Sequence, residues 1–319
     1  MNKVSNPEDI VIFSGSQYIK FAEEVANNLG VNVSPSGSIR FANSEVTVNL
    51  SESVRGKNVF IFQTHNAPVN EAIMEQAILI DAAKRASAAH ITAVCPIFGY
   101  ARQDRRGKER EPITAKLVAN ILKAAGADRI VAIDLHSSQI EGFFDGPFDH
   151  ITAAPAIEEY IKKYFGDNIT MVSPDAGRVK QTEKYSNNLG VDMAIIHKLR
   201  SGKNKAKATT IIGDVMGKHC VINDDMIDTG GTICSAADLL KKNGATRVSV
   251  VATHGIFSDG GLFKIASSGI DDIAITNTIP LPDNLPKNLK IELISVTELV
   301  GSSIRAIHQN ESVSKLFTT

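Results

Sequence analysis

Short apolar runs and helical segments alternate along this chain, and that alternation limits its folds more than any other feature. The runs "IVIFSG", "NVFIFQT", "ITAVCPIF", "RIVAIDL", "TMVSPD", "DMAIIHK", "HCVIND", "VSVVATHG" and "IAITNT" are rich in β-branched residues and have strand length. Between some of them lie "YIKFAEEVANNLG", "NEAIMEQAILIDAAKRAS", "ITAKLVANILKAAGA" and "TICSAADLLKKNGA", with apolar residues at helical spacing. Strands that alternate with helices predict an α/β fold with parallel sheets. At 319 residues, 43% hydrophobic and 22% charged, the chain has the composition of a globular protein and length for about two domains.

An internal repeat points to how those domains arose. "GADRIVAIDLH" and "GATRVSVVATH" both begin Gly-Ala-x-Arg, continue as an apolar run, and place His136 and His254 ten positions after the first Gly. Helix–Gly–strand junctions share a C-cap chemistry, which by itself generates short matches. The shared order of strand, loop and helix before each copy argues for duplication. The second copy is expected to start near "DHITAAPAIEEY", giving domains 1–152 and 153–319, with the C-terminal tail free to pack back on the first. The loop before the helix is compact in the second half, "DDMIDTGG". In the first it is long and charged, "GYARQDRRGKEREP", with Arg102, Arg105, Arg106, Lys108 and Arg110. The halves are read as sharing a fold while their ligand duties diverged.

Several function classes fall away on bulk properties. The formal net charge of −1 supplies no global field toward nucleic acid or membrane. "MNKVSNPEDI" lacks the basic start and apolar core of a signal peptide, and no apolar run approaches the roughly 18 residues of a membrane helix. Cys95, Cys220 and Cys234 are odd in number, and the first two sit in strand-like runs, which favours reduced thiols in a cytoplasmic protein.

"CVINDDMIDTGGT" carries the strongest local chemistry. An apolar strand, expected to end near Asn223, runs into Asp224, Asp225 and Asp228, and then into Gly230 and Gly231 between Thr229 and Thr232. Open α/β folds bind ligands at this carboxyl edge of the sheet. Backbone N–H groups of the turn and helix N-terminus can cradle a phosphate, with Thr229 and Thr232 capping or donating. Asp224 and Asp225 can accept from sugar hydroxyls or hold a hydrated metal; crowded carboxylates are costly without such a ligand. An Asp/Gly-rich surface turn is the plain alternative. No Lys follows the glycines as a P-loop requires, and no GxGxxG occurs.

The segment "DDMIDTGGT" resembles the 5-phosphoribosyl-diphosphate binding motif of the type I phosphoribosyltransferase fold. "FSGS", "RFANSEV", "ESVRG", "FGYARQDRR", "DLHSSQIEGFFD", "SPDAG", "HKLR" and "NESVS" follow in an order that resembles the phosphate-activated class of ribose-phosphate pyrophosphokinases along nearly the whole chain. The resemblance implies two duplicated phosphoribosyltransferase-like domains, each with a mainly parallel sheet flanked by helices. The first would carry the ATP loop and subunit contacts, the second the ribose 5-phosphate site and catalytic loop. It implies Mg²⁺-dependent transfer of the β,γ-diphosphoryl group of ATP to ribose 5-phosphate, for nucleotide, histidine and tryptophan biosynthesis. Two alternatives stand beside it: a non-catalytic regulatory paralogue and a phosphoribosyltransferase.

By the same resemblance, Asp228, Thr229, Gly230, Gly231 and Thr232 hold the 5-phosphate, and Asp224 and Asp225 meet the ribose hydroxyls. His136 and Asp175 are the metal pair, although imidazole is an uncommon Mg²⁺ ligand; Asp134, Asp145 and Asp149 also match metal-linked positions of the family and are read as backing the pair or as structural. Lys198 and Arg200 are the catalytic cations of "KLRSGKNKAKA", Arg200 also facing ribose 5-phosphate. Leu199 and Arg178 depart from the family, which often has a charged residue and a Gly there. Arg102, Gln103 and Asp104 bind ATP, joined by Asn43, Ser44 and Glu45 of a neighbouring subunit. Ser53, Arg55, Ser312, Val313 and Ser314 form a regulatory site for inorganic phosphate and ADP, in a cytoplasmic homo-oligomer read as a hexamer.

Overall fold

The computed structural model describes residues 9–199 and 208–317. The chain divides into two compact units. One comprises Met1–Thr152, Thr278–Pro280 and Val296–Thr319; the other comprises Ala153–Asn277 and Leu281–Ser295.

In the first unit the chain runs through β1 (Ile10–Ser14), α1 (Ile19–Leu29), β2 (Val33–Ser34), a ribbon of β3 (Ile39–Arg40) and β4 (Val46–Thr47), β5 (Asn58–Phe62), α2 (Val69–Arg85), β6 (His90–Cys95), α3 (Thr114–Ala125), β7 (Arg129–Ile133) and β8 (Phe148–Ile151). Its sheet has the order β2-β1-β5-β6-β7-β8, parallel throughout. The second unit runs through α4 (Ala154–Phe165), β9 (Ile169–Ser173), α5 (Val179–Leu189), β10 (Asp192–Leu199), β11 (Ala208–Ile212), β12 (His219–Ile227), α6 (Gly231–Lys242), β13 (Arg247–Gly255), α7 (Gly261–Ala266), β14 (Asp272–Thr276) and β15 (Ile291–Ile294). Its order is β11-β10-β9-β12-β13-β14-β15, parallel except for the edge pair β10–β11. The last helix, α8 (Thr297–His308), belongs to the first unit.

Without β11 and the β3–β4 ribbon, the two sheets have one strand order: β2-β1-β5-β6-β7-β8 corresponds to β10-β9-β12-β13-β14-β15. This duplication does not follow the register of the sequence repeat. "GADRIVAIDLH" holds β7 and "GATRVSVVATH" holds β13, whereas the sheet order equates β13 with β6 and β7 with β14. The repeat is displaced by one strand–helix unit because it records a junction. Gly126 and Gly244 both take positive φ past a helix, and the N–H groups of Ala127 and Ala245 reach back to Leu122 O and Leu240 O. Any βα unit can use that C-cap. The long charged loop after β6 therefore corresponds to the short β13–α7 loop. The counterpart of "DDMIDTGG" is the β5–α2 loop, "QTHNAP".

Each sheet is covered by the apolar faces of its helices. In the first unit Val11, Phe13, Ile61, Leu79, Ile80, Ile91, Leu122 and Ile130 share one core. In the second, Val172, Ile222, Ile233, Leu240, Val250 and Ile275 do the same. Each fully buried aliphatic side chain stabilises by about 1.5–3 kcal/mol relative to exposure. The helices that follow the last strands are exchanged. α4 follows β8 but belongs to the second unit, and α8 follows β15 but belongs to the first. There α8 packs on α1: Asn28 Nδ2 donates to Thr297 Oγ1 (3.4 Å), Arg305 donates to Asn28 O (3.1 Å), and a Cβ on Gly301 would lie 3.3 Å from that of Asn28.

Candidate active site

The carboxyl edge of the second sheet holds the densest set of candidate residues. β12 does not end near Asn223; it continues to Ile227. Pairing with β9 stops at Ile222, and the extension is paired with β13 alone, Asp224 facing Ala252 and Met226 facing His254. The aspartates sustain it by self-capping. Asp224 Oδ1 accepts from Asp225 N (2.9 Å), and Asp225 Oδ1 accepts from Met226 N (3.0 Å). Carboxylates thus supply acceptors where a neighbouring strand has ended.

The chain then turns through Asp228, Thr229 and Gly230 into α6. Gly230 sits in the left-handed region (φ 74°), and a Cβ there would lie 3.2 Å from Ile265 Cγ1. Gly231 is different. Its Cβ would meet only Thr229 Oγ1, at 3.8 Å, so the protein itself leaves space over this glycine. The N-cap position is Gly230, so no side chain caps α6 from there, and Thr229 and Thr232 beside it are both exposed. Asp228 accepts from Ser258, and the Asp228 carbonyl lies 2.5 Å from where a Gly261 Cβ would be, so α7 backs the turn closely. The result is a closely backed turn with open space at a helix N-terminus, where unpaired N–H groups suit an oxyanion.

Asp175 and Arg178 lie on the β9–α5 loop beside this edge. Asp175 Oδ1 accepts from Gly177 N (2.9 Å), and Ser173 Oγ donates to Asp175 O (2.7 Å). Arg178 Nε lies 3.6 Å from Asp224 Oδ1. Burial raises the pKa of Asp224 above the ordinary carboxylate range, Asp225 adds to the rise, and Arg178 opposes it. A hydroxyl-rich or cationic ligand is the natural complement of such a pair.

The two cations expected to be catalytic are placed unequally. Lys198 is on β10, opposite Thr209 of β11, on an arm that continues after β10 has left β9 at Ile195. Arg200 lies outside the described residues.

In the first unit, the loop after β6 presents Arg102 and Gln103 at the surface and buries Asp104. Gln139 Nε2 donates to Asp104 Oδ2 (2.6 Å) and to its carbonyl (3.2 Å), tying the loop to the 3-10 turn Ser138–Phe143 that follows β7. Thr114 Oγ1 donates to Gln103 Oε1 (2.6 Å). His136 is exposed just beyond β7, Asp134 precedes it with φ 37°, and Asp149 is bound to Arg129. Asn43, Ser44 and Glu45 form the exposed tip of the β3–β4 ribbon. Asn43 Nδ2 donates to Glu45 Oε2 (2.8 Å), Glu45 N donates to Asn43 Oδ1 (3.2 Å), and Ser44 takes φ 73°. Ser53 and Arg55 precede β5. Ser312, Val313 and Ser314 follow α8, whose His308 ring bonds Asn58 (3.0 Å), bringing both segments to the amino edge of this sheet. Arg55 donates to Ser87 Oγ (3.3 Å), and the hydroxyls of Ser312 and Ser314 pair (2.8 Å). Gln139, Ser258 and Ser87 carried no sequence signal of their own, because each acts through a partner at least thirty positions away.

Among the described residues, no three His, Cys, Asp or Glu side chains converge as a metal cage. No helix of these residues is long and apolar enough to cross a membrane. The cysteines are unpaired, and burial pushes the Cys95 thiol up to about 12 and the Cys220 thiol up to about 11.

Two duplicated parallel α/β units, one with an acid pair beside an open glycine turn at its carboxyl edge, define a phosphate-handling protein of the phosphoribosyltransferase-fold type. The family description "N-terminal domain of ribose phosphate pyrophosphokinase" matches residues 10–126, and "Phosphoribosyl synthetase-associated domain" matches residues 198–318. The chain is 47% identical over 316 residues to the ribose-phosphate pyrophosphokinase of Corynebacterium glutamicum, covering 98% of this chain and 97% of that one. With that of Streptomyces coelicolor it shares 45% identity over 318 residues, 99% of this chain and 98% of the other. The crystal structure of phosphoribosylpyrophosphate synthetase from Mycobacterium smegmatis matches with a TM-score of 0.88 at 44% identity, over 95% of this chain and 99% of that one. The chain belongs to the ribose-phosphate pyrophosphokinase family.

Proposed function

We propose that this enzyme transfers the β,γ-diphosphoryl group of ATP to the anomeric hydroxyl of ribose 5-phosphate, yielding 5-phospho-α-D-ribose 1-diphosphate and AMP. The hydroxyl oxygen forms a bond to the β-phosphorus, the bond from that phosphorus to the α-phosphate oxygen breaks, and the hydroxyl proton is lost. The observation that carries this reading is the open turn over Gly231 next to Asp224 and Asp225, in a chain matched to the family along nearly its full length. The turn N–H groups and Thr229 and Thr232 hydroxyls take the 5-phosphate, and Asp224 and Asp225 accept from the ribose hydroxyls.

Lys198 and Arg200 neutralise charge that develops on the transferred phosphates, and closure over them excludes water. Arg102 and Gln103 engage ATP, while Asp104, held by Gln139, fixes their loop. The ribbon tip with Asn43, Ser44 and Glu45 reaches the adenine in a neighbouring subunit's site. Asp175 presents carboxylate oxygens of the kind a hard cation takes, so Asp175, with His136, would hold Mg²⁺. When bound, that ion supplies charge neutralisation at the phosphates. Residues 1–152 would serve ATP and subunit contacts and residues 153–319 ribose 5-phosphate, within a cytoplasmic hexamer. Ser53, Arg55, Ser312, Val313 and Ser314 would bind inorganic phosphate as activator and ADP as inhibitor, Arg55 gripping the anion.

The test is AMP release by the purified chain from ATP and ribose 5-phosphate with Mg²⁺, with and without inorganic phosphate. AMP formed in step with ribose 5-phosphate consumed is expected. Absence of AMP from a folded, ATP-binding protein overturns the reading.

A further inference from the structure

Arg178 stands out in the second unit because its charge is shielded while its Nε has no hydrogen-bond partner among the described residues. Its side chain is 21% exposed and that of Asp224 is 14% exposed, in contrast to the surface pair Lys290–Glu292 at 87% and 47%. Exposed pairs contribute little because water and salt screen them, and a half-sealed pair is screened much less. Arg178 Nε is buried without an acceptor among the described residues and points at Asp224 Oδ1 from 3.6 Å, just outside hydrogen-bond range. A buried donor without a partner is uncommon and calls for an explanation at the site where it occurs. The backbone of Arg178 is fixed independently of its side chain, because its carbonyl accepts from Thr182 N (2.9 Å) and Thr182 Oγ1 (3.0 Å) in the first turn of α5. The loop residue that carries the guanidinium is therefore anchored, with Nε 3.6 Å from one carboxylate.

That carboxylate needs such a neighbour. Asp224 and Asp225 are consecutive, and the Asp224 carboxyl group is held by its neighbour, accepting from Asp225 N and sharing a hydrogen bond with the Asp225 side chain. Burial and Asp225 both work against ionisation of Asp224, and a permanent cation 3.6 Å from its Oδ1 opposes them and biases where the carboxyl group sits. We propose that Arg178 is a positioning residue that holds the Asp224 carboxylate in line to accept a ribose hydroxyl, and so sets how strongly the site prefers a hydroxylated sugar phosphate over a deoxy one. This rests on the assignment of Asp224 to the ribose hydroxyls. Arg178 acts through Asp224, so its effect should follow the sugar hydroxyls and not the ATP.

The test compares Arg178→Ala, Arg178→Lys and the unmodified enzyme in steady-state AMP release. Ribose 5-phosphate and its 2-deoxy and 3-deoxy analogues serve as acceptors, with thermal melts of each protein. For Arg178→Ala the KM for ribose 5-phosphate should rise about tenfold, with kcat and the KM for ATP within about twofold. Its preference for ribose 5-phosphate over at least one deoxy analogue should shrink by about fivefold, and Arg178→Lys, which keeps the charge, should recover part of both. An unchanged preference in both variants overturns the proposal, whether KM rises or not, because a general anion contact or a packing role weakens all acceptors alike. If Arg178→Ala fails to fold, Arg178→Gln, which keeps most of the side chain but removes the charge, decides by the same ratio. An unmodified enzyme that releases no AMP would instead refute the proposed function, so the two failures are distinguishable.

Discussion

The same crevice, between the loop after the first core strand and the loop after the third, is present in both units and is filled differently. In the second unit those loops carry Asp175 and Arg178 on one side and Asp224 to Thr232 on the other, with space left over Gly231. In the first unit they are residues 15–18 and 63–68, and the chain's own side chains close them. Glu75, buried on α2, accepts from Ser16 N (3.1 Å to both oxygens), Ser16 Oγ (2.7 Å), Gln63 Nε2 (2.7 Å) and Ser38 Oγ (2.5 Å). Gln63 Oε1 takes Gln17 N (3.3 Å), and a Cβ on Gly15 would fall 2.5 Å from the Gln63 side chain. An internal carboxylate and amide thus take the backbone N–H groups of Ser16 and Gln17 in the first crevice, while the second has open space over Gly231. Topology alone does not make a site; what occupies the crevice decides.

The arms beside the two edge strands offer the largest test. Lys198→Ala on the β10–β11 arm should lower turnover by about 10²–10³-fold, the loss typical of one transition-state contact, with substrate binding little changed. Glu45→Ala on the β3–β4 ribbon should weaken ATP use. Mixed oligomers of the two variants should regain activity measurable in the AMP assay, since each supplies what the other lacks. No recovery despite demonstrated subunit exchange would place Glu45 in its own chain's site.

The crevices themselves can be set against each other. Gly231→Val should weaken ribose 5-phosphate binding by about a hundredfold in calorimetry, with ATP affinity and melting temperature nearly unchanged, because the protein has room for the side chain. Glu75→Ala should do the reverse, costing roughly 3 kcal/mol in denaturant unfolding through the donors it leaves buried, with ribose 5-phosphate affinity of the folded protein retained. If both variants lost ligand affinity equally, the first crevice would not be merely structural.

How much of this was legible in sequence differs by element. The buried central strands and the amphipathic helices α1, α2, α3 and α6 are plain from spacing. The short edge strands β8, β11 and β15 are not, because sheet pairing defines them more than pattern does. Around "DDMIDTGG" the residue types were readable, but the strand end was not. Self-capping by Asp224 and Asp225 carries β12 four residues past Asn223, where composition suggests a turn. The closed crevice escaped entirely, since Glu75 meets Ser16 across 59 positions. Its trace was a Glu-Gln pair on the α2 face that also buries Ile73, Ala77 and Ile80.

The Gln of that pair supports a smaller, pH-dependent contrast. His65 is buried with Nε2 bonded to Gln76 Oε1 (2.8 Å) and Nδ1 accepting from Gly99 N (3.0 Å), and burial holds its pKa down to about 4. The folded value lies below the unfolded one near 6.5, so the unfolded chain takes the proton first. The stabilisation is complete above about pH 6.5 and is lost as pH falls toward about 4, by on the order of 3 kcal/mol. Unfolding free energy measured between pH 7 and 4 should show that slope, and His65→Gln should flatten it. The smallest effect is expected at the amino edge of the first sheet. Arg55→Ala should blunt phosphate activation and ADP inhibition severalfold in initial rates over a phosphate series, with unstimulated activity kept.

The exchanged closing helices also set a schedule for biosynthesis. The face of α1 that receives Thr297, Gly301 and Arg305 is made early, but α8 emerges only after the whole second unit has been translated. At roughly 5–20 residues per second, the interval between residues 152 and 297 is on the order of 7–30 s. Through that time the nascent first unit carries an uncovered helix face, exposed to chaperones and to other nascent chains on the same message.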